Sequence, residues 1–349
     1  MFKKVFFSII GLVILLSAGY FFVRKCSYTA SLPVEPAIPY IHNEGQAQGT
    51  TYSATYLQPQ GVDLQLKIDS AFRKFDTSLS TYNSNSIITQ INRNVDTVLT
   101  DKHFETMFNT AMEVSKNTNG AFDITVGPLV KAWGFAFGNK NHSKLPDVKQ
   151  FLPFVGYKKV QLVNHKVIKN HPKILIDANA IAQGYSADVM GELLEKYGCK
   201  NYVFEIGGEV VCKGVNQKGE KWKIGIDKPI DDSTGVTKEI QSILSISNMA
   251  VTTSGNYRKY YYKDGKKYAH HIDPRTGYPV VHSLLSVTVI APRCIEADAY
   301  ACSFMVMGMD SALRVYKSVP KMECYFIYVD NDGKNQVKYT SGFKKYLAD

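Results

Sequence analysis

Apolar residues recur at intervals of three and four in three segments of the chain, which is the spacing of helices with one buried face. The first segment is marked by Leu64, Ile68, Phe72, Phe75 and Leu79, the second by Phe104, Phe108, Ala111, Met112 and Ser115, and the third by Ala182, Tyr185, Val189, Leu193 and Tyr197. Asp101 is placed to cap the second helix, and Gly198 stands where helices commonly end. The pattern therefore predicts three amphipathic helices.

Apolar runs that alternate or are continuous, bounded by Gly, Asn and Asp, predict strands in the rest of the chain. These runs are Tyr52–Tyr56, Tyr202–Ile206, Trp222–Ile226, Ile240–Ile246, Tyr257–Tyr262, Leu284–Ile290 and Cys324–Val329. The strands outnumber the helices and cluster late, which favours an α+β fold over a doubly wound one. We predict a single large domain over residues 40–349, with a mostly antiparallel or mixed β-sheet and packed helices.

The N-terminal residues differ in composition from this domain. An uncharged stretch from Val5 to Val23 lies between the basic pairs Lys3-Lys4 and Arg24-Lys25. As a helix it would be about 28 Å long, enough to cross the hydrocarbon core of a bilayer. Residues 1–25 are therefore predicted to be a membrane anchor, or alternatively a cleaved signal segment with Ser17-Ala18-Gly19 at the cleavage site. Residues 26–39, which are rich in proline, are predicted to be a linker.

Composition and charge limit the classes of partner. The chain has 349 residues, 45% hydrophobic and 21% charged, and 41 basic against 31 acidic residues give a formal charge of +10. The basic residues are scattered, so we expect anionic small molecules rather than nucleic acid as partners. The six cysteines show no CxxC spacing, which argues against a zinc site, although an even number leaves one disulfide open.

The run His270-His271-Ile272-Asp273-Pro274-Arg275-Thr276-Gly277-Tyr278-Pro279 brings together the side chains best suited to chemistry. Asp-Pro and Thr-Gly predict a turn that holds an imidazole, a carboxylate and a guanidinium on a loop between strands. An ordinary hairpin turn is the alternative interpretation. Other segments of the chain decide between the two.

Five further segments occur in a fixed order along the chain. They are Gly120–Leu129 with Trp133-Gly134-Phe135, Asp177–Asp188, Thr252–Tyr257, Ser286–Val289 and Glu296–Cys302. Together with the turn at His270–Pro279, they resemble the FAD:protein FMN transferases, also called the ApbE family. The resemblance covers about residues 45 to 345, and ordered segments of this number are far more specific than any single motif.

The resemblance implies Mg²⁺-dependent transfer of FMN from FAD to a Ser or Thr hydroxyl of a target flavoprotein, with release of AMP. Two alternatives remain open: an FAD pyrophosphatase that gives FMN and AMP, and a non-catalytic FAD-binding protein. Many members of this family act outside the cytoplasmic membrane. We therefore expect a membrane-anchored enzyme with its domain on the periplasmic or outer side, acting on flavoprotein subunits of membrane redox complexes.

A helix is predicted around Ile295, Ala299, Cys302 and Val306, and its i to i+4 spacing puts residue 302 on the face of Asp298. The resemblance implies that Asp298 binds Mg²⁺ with the carbonyl of Ala180 and the side chains at positions 301 and 302. The family commonly has Thr at position 302, whereas this chain has Cys302, and Ala301 has no ligating side chain. We expect a site with fewer protein ligands and more water, or another divalent ion.

The resemblance also implies which residues contact FAD. They are Gln48, Tyr82, Ala121, Phe122, Asp123, Asp177, Gln183 and, through its backbone, Ile272. Aromatic rings stack on flavin or adenine, and carboxylates accept hydrogen bonds from ribose hydroxyls. Phe122 and Trp133 are also residues that a hydrophobic core would contain.

The resemblance selects His270 rather than His271 as the catalytic base, because His270 stands three residues before Asp273 at the family position. An imidazole with a pKa near 6.5 is partly available as a base at neutral pH. In a strand, successive side chains point to opposite faces, so only one of the two histidines is expected to face the site. His271→Ala is accordingly expected to be a mild change.

Overall fold

A computed structural model of the protein describes residues 38–136, 144–230, 239–257 and 259–348. The strands in these residues are β1 (Ile41–Ala47), β2 (Thr50–Tyr56), β3 (Val160–Val163), β4 (Lys166–Lys169), β5 (Tyr202–Ile206), β6 (Glu209–Lys213), β7 (Trp222–Asp227), β8 (Ile240–Ile246), β9 (Met249–Gly255), β10 (Tyr260–Lys263), β11 (Lys266–Ala269), β12 (Leu284–Ala291), β13 (Glu323–Val329) and β14 (Asn335–Tyr339). The α-helices are α1 (Gln65–Leu79), α2 (Ile87–Asn92), α3 (Lys102–Asn117), α4 (Gly127–Ala132), α5 (Ala182–Lys196), α6 (Cys294–Met307) and α7 (Met309–Tyr316).

Eight of the strands form one sheet in the order β1-β2-β5-β6-β9-β12-β13-β14, and each adjacent pair is antiparallel. Three antiparallel hairpins, β3–β4, β7–β8 and β10–β11, lie outside this sheet. The prediction of an α+β fold with a largely antiparallel sheet is confirmed. The sheet brings β6, β9 and β12 together at its centre, although they are far apart in the sequence.

The three helices predicted from apolar spacing are confirmed as α1, α3 and α5. The carboxylate of Asp101 accepts a hydrogen bond from the amide of Phe104 at 2.9 Å, so the predicted cap is also present. Six of the seven predicted strands are found within two residues of their expected ends. The seventh, predicted from Tyr257, is wrong in its first part, because Asn256 and Tyr257 form a bend and β10 begins at Tyr260.

One face of the main sheet is covered by helices, with α6 packed on β9 and β12 and against α5. Nearly every residue of α6 is buried, from Cys294 to Val306, because this helix is apolar on all sides. The opposite face packs against the β7–β8 hairpin and the short helical turn at Ser341–Tyr346. Asp298 is therefore a carboxylate within the hydrophobic layer between sheet and helices.

The predicted anchor at residues 1–25 and most of the predicted linker lie outside the described residues. Within the part of the chain that the structure describes, no helix is both long and apolar enough to cross a membrane. Residues Pro39–Asp349 group into one compact unit. The five cysteines in the described residues, Cys199, Cys212, Cys294, Cys302 and Cys324, are free thiols.

Candidate active site

The start of α6 is held by a carboxylate from a neighbouring helix. Asp188, on α5, accepts hydrogen bonds from the amides of Cys294 at 2.8 Å and Ile295 at 2.9 Å. Arg293, at the N-cap, makes no side-chain capping bond, so Asp188 satisfies the open amides in its place. Burial raises the pKa of Asp188 to about 6. This contact fixes where α6 begins and so positions Asp298, one helical turn after Cys294.

Asp298 lies where α6 crosses the beginning of α5. Asp298 is only 7% exposed, and its Oδ2 accepts a hydrogen bond from the amide of Gly184 at 3.0 Å. Burial raises the pKa of Asp298 to about 7. Among the ion pairs of the described residues, none involves Asp298. A buried carboxylate without a cationic partner is a group that a bound cation would stabilise.

Gly184 permits this close crossing of helices because it has no side chain. A Cβ at Gly184 would lie 2.6 Å from the Cβ of Asp298 and 2.6 Å from the carbonyl oxygen of Cys294. Gly184→Ala is therefore expected to force α5 and α6 apart and to destabilise the fold by about 1–3 kcal/mol. Urea unfolding measures this change, with Gly225→Ala as the control because its nearest neighbour would be 3.6 Å away. An equal midpoint for both variants would contradict this packing.

The predicted main-chain ligand, Ala180, lies immediately before α5. The amides of Ile181 and Ala182 both donate to the carbonyl of Ala178, and the amide of Tyr185 donates to that of Ile181. The amide of Gly184, which would be the helical partner of the Ala180 carbonyl, donates to Asp298 instead. The local backbone thus leaves the Ala180 carbonyl outside the hydrogen bonds that open the helix.

Positions 301 and 302 differ in whether their side chains have an atom that could bind a metal. Ala301 is fully buried in the main hydrophobic cluster, so its methyl group packs there and supplies no ligand atom. Cys302 is half-buried, one turn after Asp298. Burial, and next the charge of Asp298, raise the pKa of the Cys302 thiol to about 12. At neutral pH it is a protonated thiol, which is a poor ligand for Mg²⁺.

The donors at this crossing suit a hard divalent ion that keeps several waters. Among the described residues, no group of three or more His, Cys, Asp or Glu side chains is arranged to hold a metal. Asp298 and the Ala180 carbonyl nevertheless offer two oxygens, and Mg²⁺ is usually bound by one or two carboxylates together with waters and substrate phosphates. The residues present therefore fit Mg²⁺.

The predicted cofactor loop, Ala121 to Asp123, is fixed by its own hydrogen bonds. One carboxylate oxygen of Asp123 accepts from the amide and hydroxyl of Thr125, and the other accepts from the amide of Tyr157 at 2.6 Å. Ala121 and Phe122 are 2% and 3% exposed. The side chains are thus engaged inside the protein, and the main chain is the part of this loop best placed to meet a ligand.

A shallow pocket of about 320 Å³ connects this loop to the turn at Asp273–Pro279. Its lining includes Gly120, Asp123, Tyr157, Pro274 and Arg275. A second pocket, of about 480 Å³, is lined by residues of β1, β2 and β5 and contains none of the predicted site residues. Of the predicted site residues, Asp123 is the one that lines the smaller pocket.

Tyr82 lies near enough to Asp177 for the charge of the carboxylate to affect the phenol. The ring of Tyr82 is 59% exposed, and its pKa is raised by burial of the hydroxyl and next by the charge of Asp177. Asp177 accepts a hydrogen bond from the amide of Asn179 at 2.8 Å, and burial raises its pKa. An exposed aromatic ring beside a carboxylate is a suitable pair for a flavin or an adenine nucleoside.

Gln48 and Gln183 meet at the start of α5 from different elements. Gln48 occupies the turn between β1 and β2, and its Oε1 accepts a hydrogen bond from the hydroxyl of Ser186 at 3.3 Å. Its Nε2 is buried without a hydrogen-bond partner in the described residues. Gln183 Nε2 lies beside Gly207, 3.2 Å from where a Cβ would be. The fold thus brings Gln48, Gln183 and Asp298 to one end of α5.

The turn that contains Ile272 is held by a hydrogen bond from Trp133. Ile272 is buried and pairs with Pro279 across the turn, while Trp133 Nε1 donates to the carbonyl of Gly277 at 2.8 Å. Arg275 makes two hydrogen bonds to the carboxylate of Asp273, at 2.7 and 2.8 Å. Trp133 is therefore a core residue that also fixes this turn.

Among the described residues, Nδ1 of the His270 ring has a hydrogen-bond partner and Nε2 has none. Its Nδ1 lies 3.1 Å from the carbonyl of Lys259, and because a carbonyl only accepts, Nδ1 carries the proton and Nε2 the lone pair. Burial, and next the charge of Lys259, lower the pKa of His270 to about 4. The imidazole is then neutral throughout the physiological range, rather than half protonated near pH 6.5 as expected from the sequence.

The expectation that the two histidines face opposite sides is wrong. Strand β11 ends at Ala269, so His270 lies in a bend, and the rings of His270 and His271 are 4.1 Å apart. His271 is 5% exposed and its Nδ1 lies 2.8 Å from Oδ1 of Asn256. The strand alternation assumed for this pair does not apply, and His271 packs directly against the predicted base.

Several residues of this region were not singled out from the sequence. They are Asp188, Glu209, Asn256 and His282. Asp188 and Asn256 fall within the segments that carry the family resemblance, which was the available signal for them. Glu209 follows a Gly-Gly turn, and His282 Nε2 donates to the carbonyl of Met305 at 2.7 Å. Their roles depend on contacts between elements distant in the chain.

The likeness of this chain to known proteins identifies its family. The sequence model of the ApbE family matches residues 48–326. A Haemophilus influenzae protein named FAD:protein FMN transferase is 34% identical over 316 residues, which cover 86% of this chain and 90% of that protein. A protein of the same name from Escherichia coli K12 is 32% identical over 350 residues, covering 96% and 97%.

Solved structures show the same fold. The flavin transferase ApbE from Vibrio cholerae superposes with a TM-score of 0.79 at 31% identity, covering 88% of this chain and 99% of that one. The ApbE protein from Thermotoga maritima gives a TM-score of 0.76 at 25% identity, covering 89% and 100%. These likenesses confirm the family predicted from the sequence.

Proposed function

The chain belongs to the ApbE family, and from that premise we propose that it is an FAD:protein FMN transferase. It moves FMN from FAD to a Ser or Thr hydroxyl of a flavoprotein, using Mg²⁺ and releasing AMP. The extent of the likeness carries this proposal, since it runs through the whole domain and includes every segment that forms the site. The geometry around Asp298 and His270 supports the division of roles among the residues.

Asp298 and the Ala180 carbonyl would hold the cation at the junction of α5 and α6. When bound, Mg²⁺ neutralises charge on the transferred phosphoryl group and orients it. Asp188 and Gly184 keep the two helices in contact where Asp298 lies. The main chain at Gly120–Asp123 and the exposed ring of Tyr82 would bind FAD, with Asp177 and Gln183 as polar contacts.

His270 would act on the acceptor. The acceptor oxygen forms a bond to the FMN phosphorus, the bond from that phosphorus to the AMP oxygen breaks, and the hydroxyl proton moves to His270 Nε2. The carbonyl of Lys259 keeps the proton on Nδ1, so Nε2 is free to accept. A positioned base of this kind contributes about 10² to 10⁴-fold to the rate.

We place the enzyme at the cytoplasmic membrane, with the domain on the periplasmic or outer side. The length of the apolar stretch from Val5 to Val23 supports a membrane location, and the family resemblance, rather than the basic residues at both ends, supports the outer side. The acceptors would then be flavoprotein subunits of membrane redox complexes. Fractionation of cells that produce the full-length chain, followed by protease treatment of intact spheroplasts, tests both statements.

The activity is tested with the full-length protein, FAD, Mg²⁺ and a candidate acceptor. A transferase makes the acceptor band fluoresce in a denaturing gel and releases AMP in equal amount. An acceptor whose target Ser or Thr is replaced by Ala is the control. FMN and AMP without a labelled acceptor would identify a pyrophosphatase instead, and intact FAD would identify a binding protein.

Cys302→Thr is expected to tighten Mg²⁺ binding. The hydroxyl would stand where the protonated thiol now lies and would add a hard oxygen to the site. We expect the Kd for Mg²⁺ to fall by roughly tenfold, equivalent to about 1.4 kcal/mol. Isothermal titration calorimetry measures it, with Cys302→Val as the control of similar shape. If both variants bind Mg²⁺ like the wild type, residue 302 does not touch the ion.

A further inference from the structure

Glu209 is a carboxylate near the Asp298 site that the roles above do not use. It is the first residue of β6 and follows the turn Gly207-Gly208, where both glycines have positive φ angles of 61° and 106°. Its Oε2 is buried and has no hydrogen-bond partner among the described residues. A buried carboxylate oxygen without a partner is costly, so it indicates a ligand that the protein binds there.

A second buried oxygen without a partner lies beside it. Val210 faces Val251 in the last pair of the β6–β9 ladder, and Glu209 and Thr252 are the residues just beyond this pair on the two strands. Thr252 is 1% exposed, and its hydroxyl has no hydrogen-bond partner within the described part of the chain. Thr252 is paired with Val289, whose side chain lies in the cluster beneath α6. Both oxygens therefore belong to the face of the sheet that α6 covers.

The start of α6 connects this pair to Asp298. The thiol of Cys294 lies 3.7 Å from the carbonyl of Val210, the residue after Glu209. The carbonyl of Cys294 and the Cβ of Asp298 both lie against Gly184. Asp298 is thus one turn of α6 away from Cys294, which contacts β6 at the residue after Glu209.

Glu209 also lies on the side of the sheet where FAD is expected. A Cβ on Gly207 would be 3.4 Å from Glu209 Oε2 and 3.2 Å from Gln183 Nε2. The carboxylate and this predicted cofactor contact therefore flank the same glycine. An anionic cofactor would not approach two buried carboxylates unless a cation lay between them.

We propose that Glu209 and Thr252 belong to the divalent-cation site with Asp298, and that Glu209 supplies the hard oxygen that Ala301 and Cys302 do not. This inference rests on the proposed function, because it assumes that a divalent cation binds at Asp298. In this proposal the additional ligands come from β6 and β9, whereas the family resemblance places them at positions 301 and 302 of α6. A carboxylate and a hydroxyl are both ligands that Mg²⁺ and Mn²⁺ accept.

The test measures metal binding by the full-length protein without FAD. Mn²⁺ binding is followed by the loss of the free-ion EPR signal, and Mg²⁺ binding by calorimetry. Glu209→Gln, which keeps the shape and removes the charge, is expected to raise both Kd values at least about tenfold. Its thermal midpoint without metal should not fall, because a buried carboxylate is removed, while the rise in midpoint on adding metal should shrink.

Glu205→Gln is the matched control. Glu205 is on β5 of the same hairpin and pairs with Val210, so it lies on the opposite face of the sheet from Glu209. Its carboxylate accepts a hydrogen bond from the amide of Gly208, which a Gln oxygen can also accept. Metal affinity is expected to be unchanged in this variant.

Asp298→Asn separates failure of this inference from failure of the proposed function. If Asp298→Asn abolishes metal binding while Glu209→Gln leaves both Kd values within about twofold of wild type, Glu209 is not a ligand although the cation site stands. If the wild type binds neither Mn²⁺ nor Mg²⁺, both proposals are wrong. Should Glu209→Gln fail to fold, Thr252→Val takes its place, with a several-fold rise in Kd supporting the inference and an unchanged Kd overturning it.

Discussion

Asp298→Asn is expected to lower Mg²⁺-dependent turnover by roughly 10³-fold while the protein remains folded. A metal ion supplies several kcal/mol of charge stabilisation to a phosphoryl transfer, and each 1.4 kcal/mol is a factor of ten in rate. The oxygen of Asn can still accept the hydrogen bond from Gly184, and no buried charge is left unpaired. AMP release under saturating FAD and Mg²⁺ measures the rate, and circular dichroism follows the fold.

Asp310→Asn is the control for this change, since Asp310 is an exposed carboxylate at the start of α7. It should keep wild-type turnover. If Asp298→Asn also retains wild-type AMP release, Asp298 does not hold the cation. If Asp298→Asn is unfolded, its carboxylate is needed for the crossing of α5 and α6 rather than for catalysis.

The helices could be predicted from the sequence because their evidence is local. In α1 and α3, the apolar side chains at intervals of three and four are buried, and Asp101 lies at the capping position. Strands β1 and β14 were missed because polar side chains dominate them. All five residues of β14 are exposed, and β1 is the other edge of the sheet, so backbone pairing rather than an apolar pattern holds them in place.

The site could be predicted only as far as the family resemblance reaches. That resemblance singled out Asp298 and His270. The separate expectation about the two histidines assumed a strand at His270, where the chain bends instead. The hydrogen bonds of Asp188 to the amides of α6 depend on which helices become neighbours. The placement of Glu209 and Thr252 just beyond the last pair of the β6–β9 ladder depends on which strands do. No pattern within either segment contains that information, because the partners are separated by more than 40 residues in each case.

Burial also changes what a residue type can do, and a sequence does not specify burial at single sites. Cys302 and His270 both illustrate this point. From the sequence, a cysteine is a possible thiolate ligand and a histidine a base that is half protonated near pH 6.5. In the fold, burial keeps the Cys302 thiol protonated and keeps the His270 imidazole neutral.

His270→Ala is expected to lower the rate of FMN transfer by about 10² to 10⁴-fold with little change in FAD affinity. The proton transfer belongs to the transition state, so ground-state binding of FAD does not depend on it. His165→Ala, which removes an exposed imidazole, is the control. His271→Ala should instead lower the free energy of unfolding by roughly 1–3 kcal/mol, because it removes a buried ring and its hydrogen bond to Asn256.

The pH dependence distinguishes a catalytic His270 from a structural one. The neutral imidazole is the active form, and burial lowers its pKa to about 4, so it stays active as pH falls until the pH nears that value. Protonation of Asp298, whose pKa burial raises to about 7, weakens metal binding in this range, so the rate is measured with Mg²⁺ saturating at every pH. Under that condition the wild-type transfer rate should be level from about pH 5.5 to 8 and should fall only below that range. The residual activity of His270→Ala should lack this acid limb. A wild-type rate that rises tenfold between pH 5.5 and 7.5, or a parallel loss of FAD binding and rate in His270→Ala, would show that His270 is not the base described here.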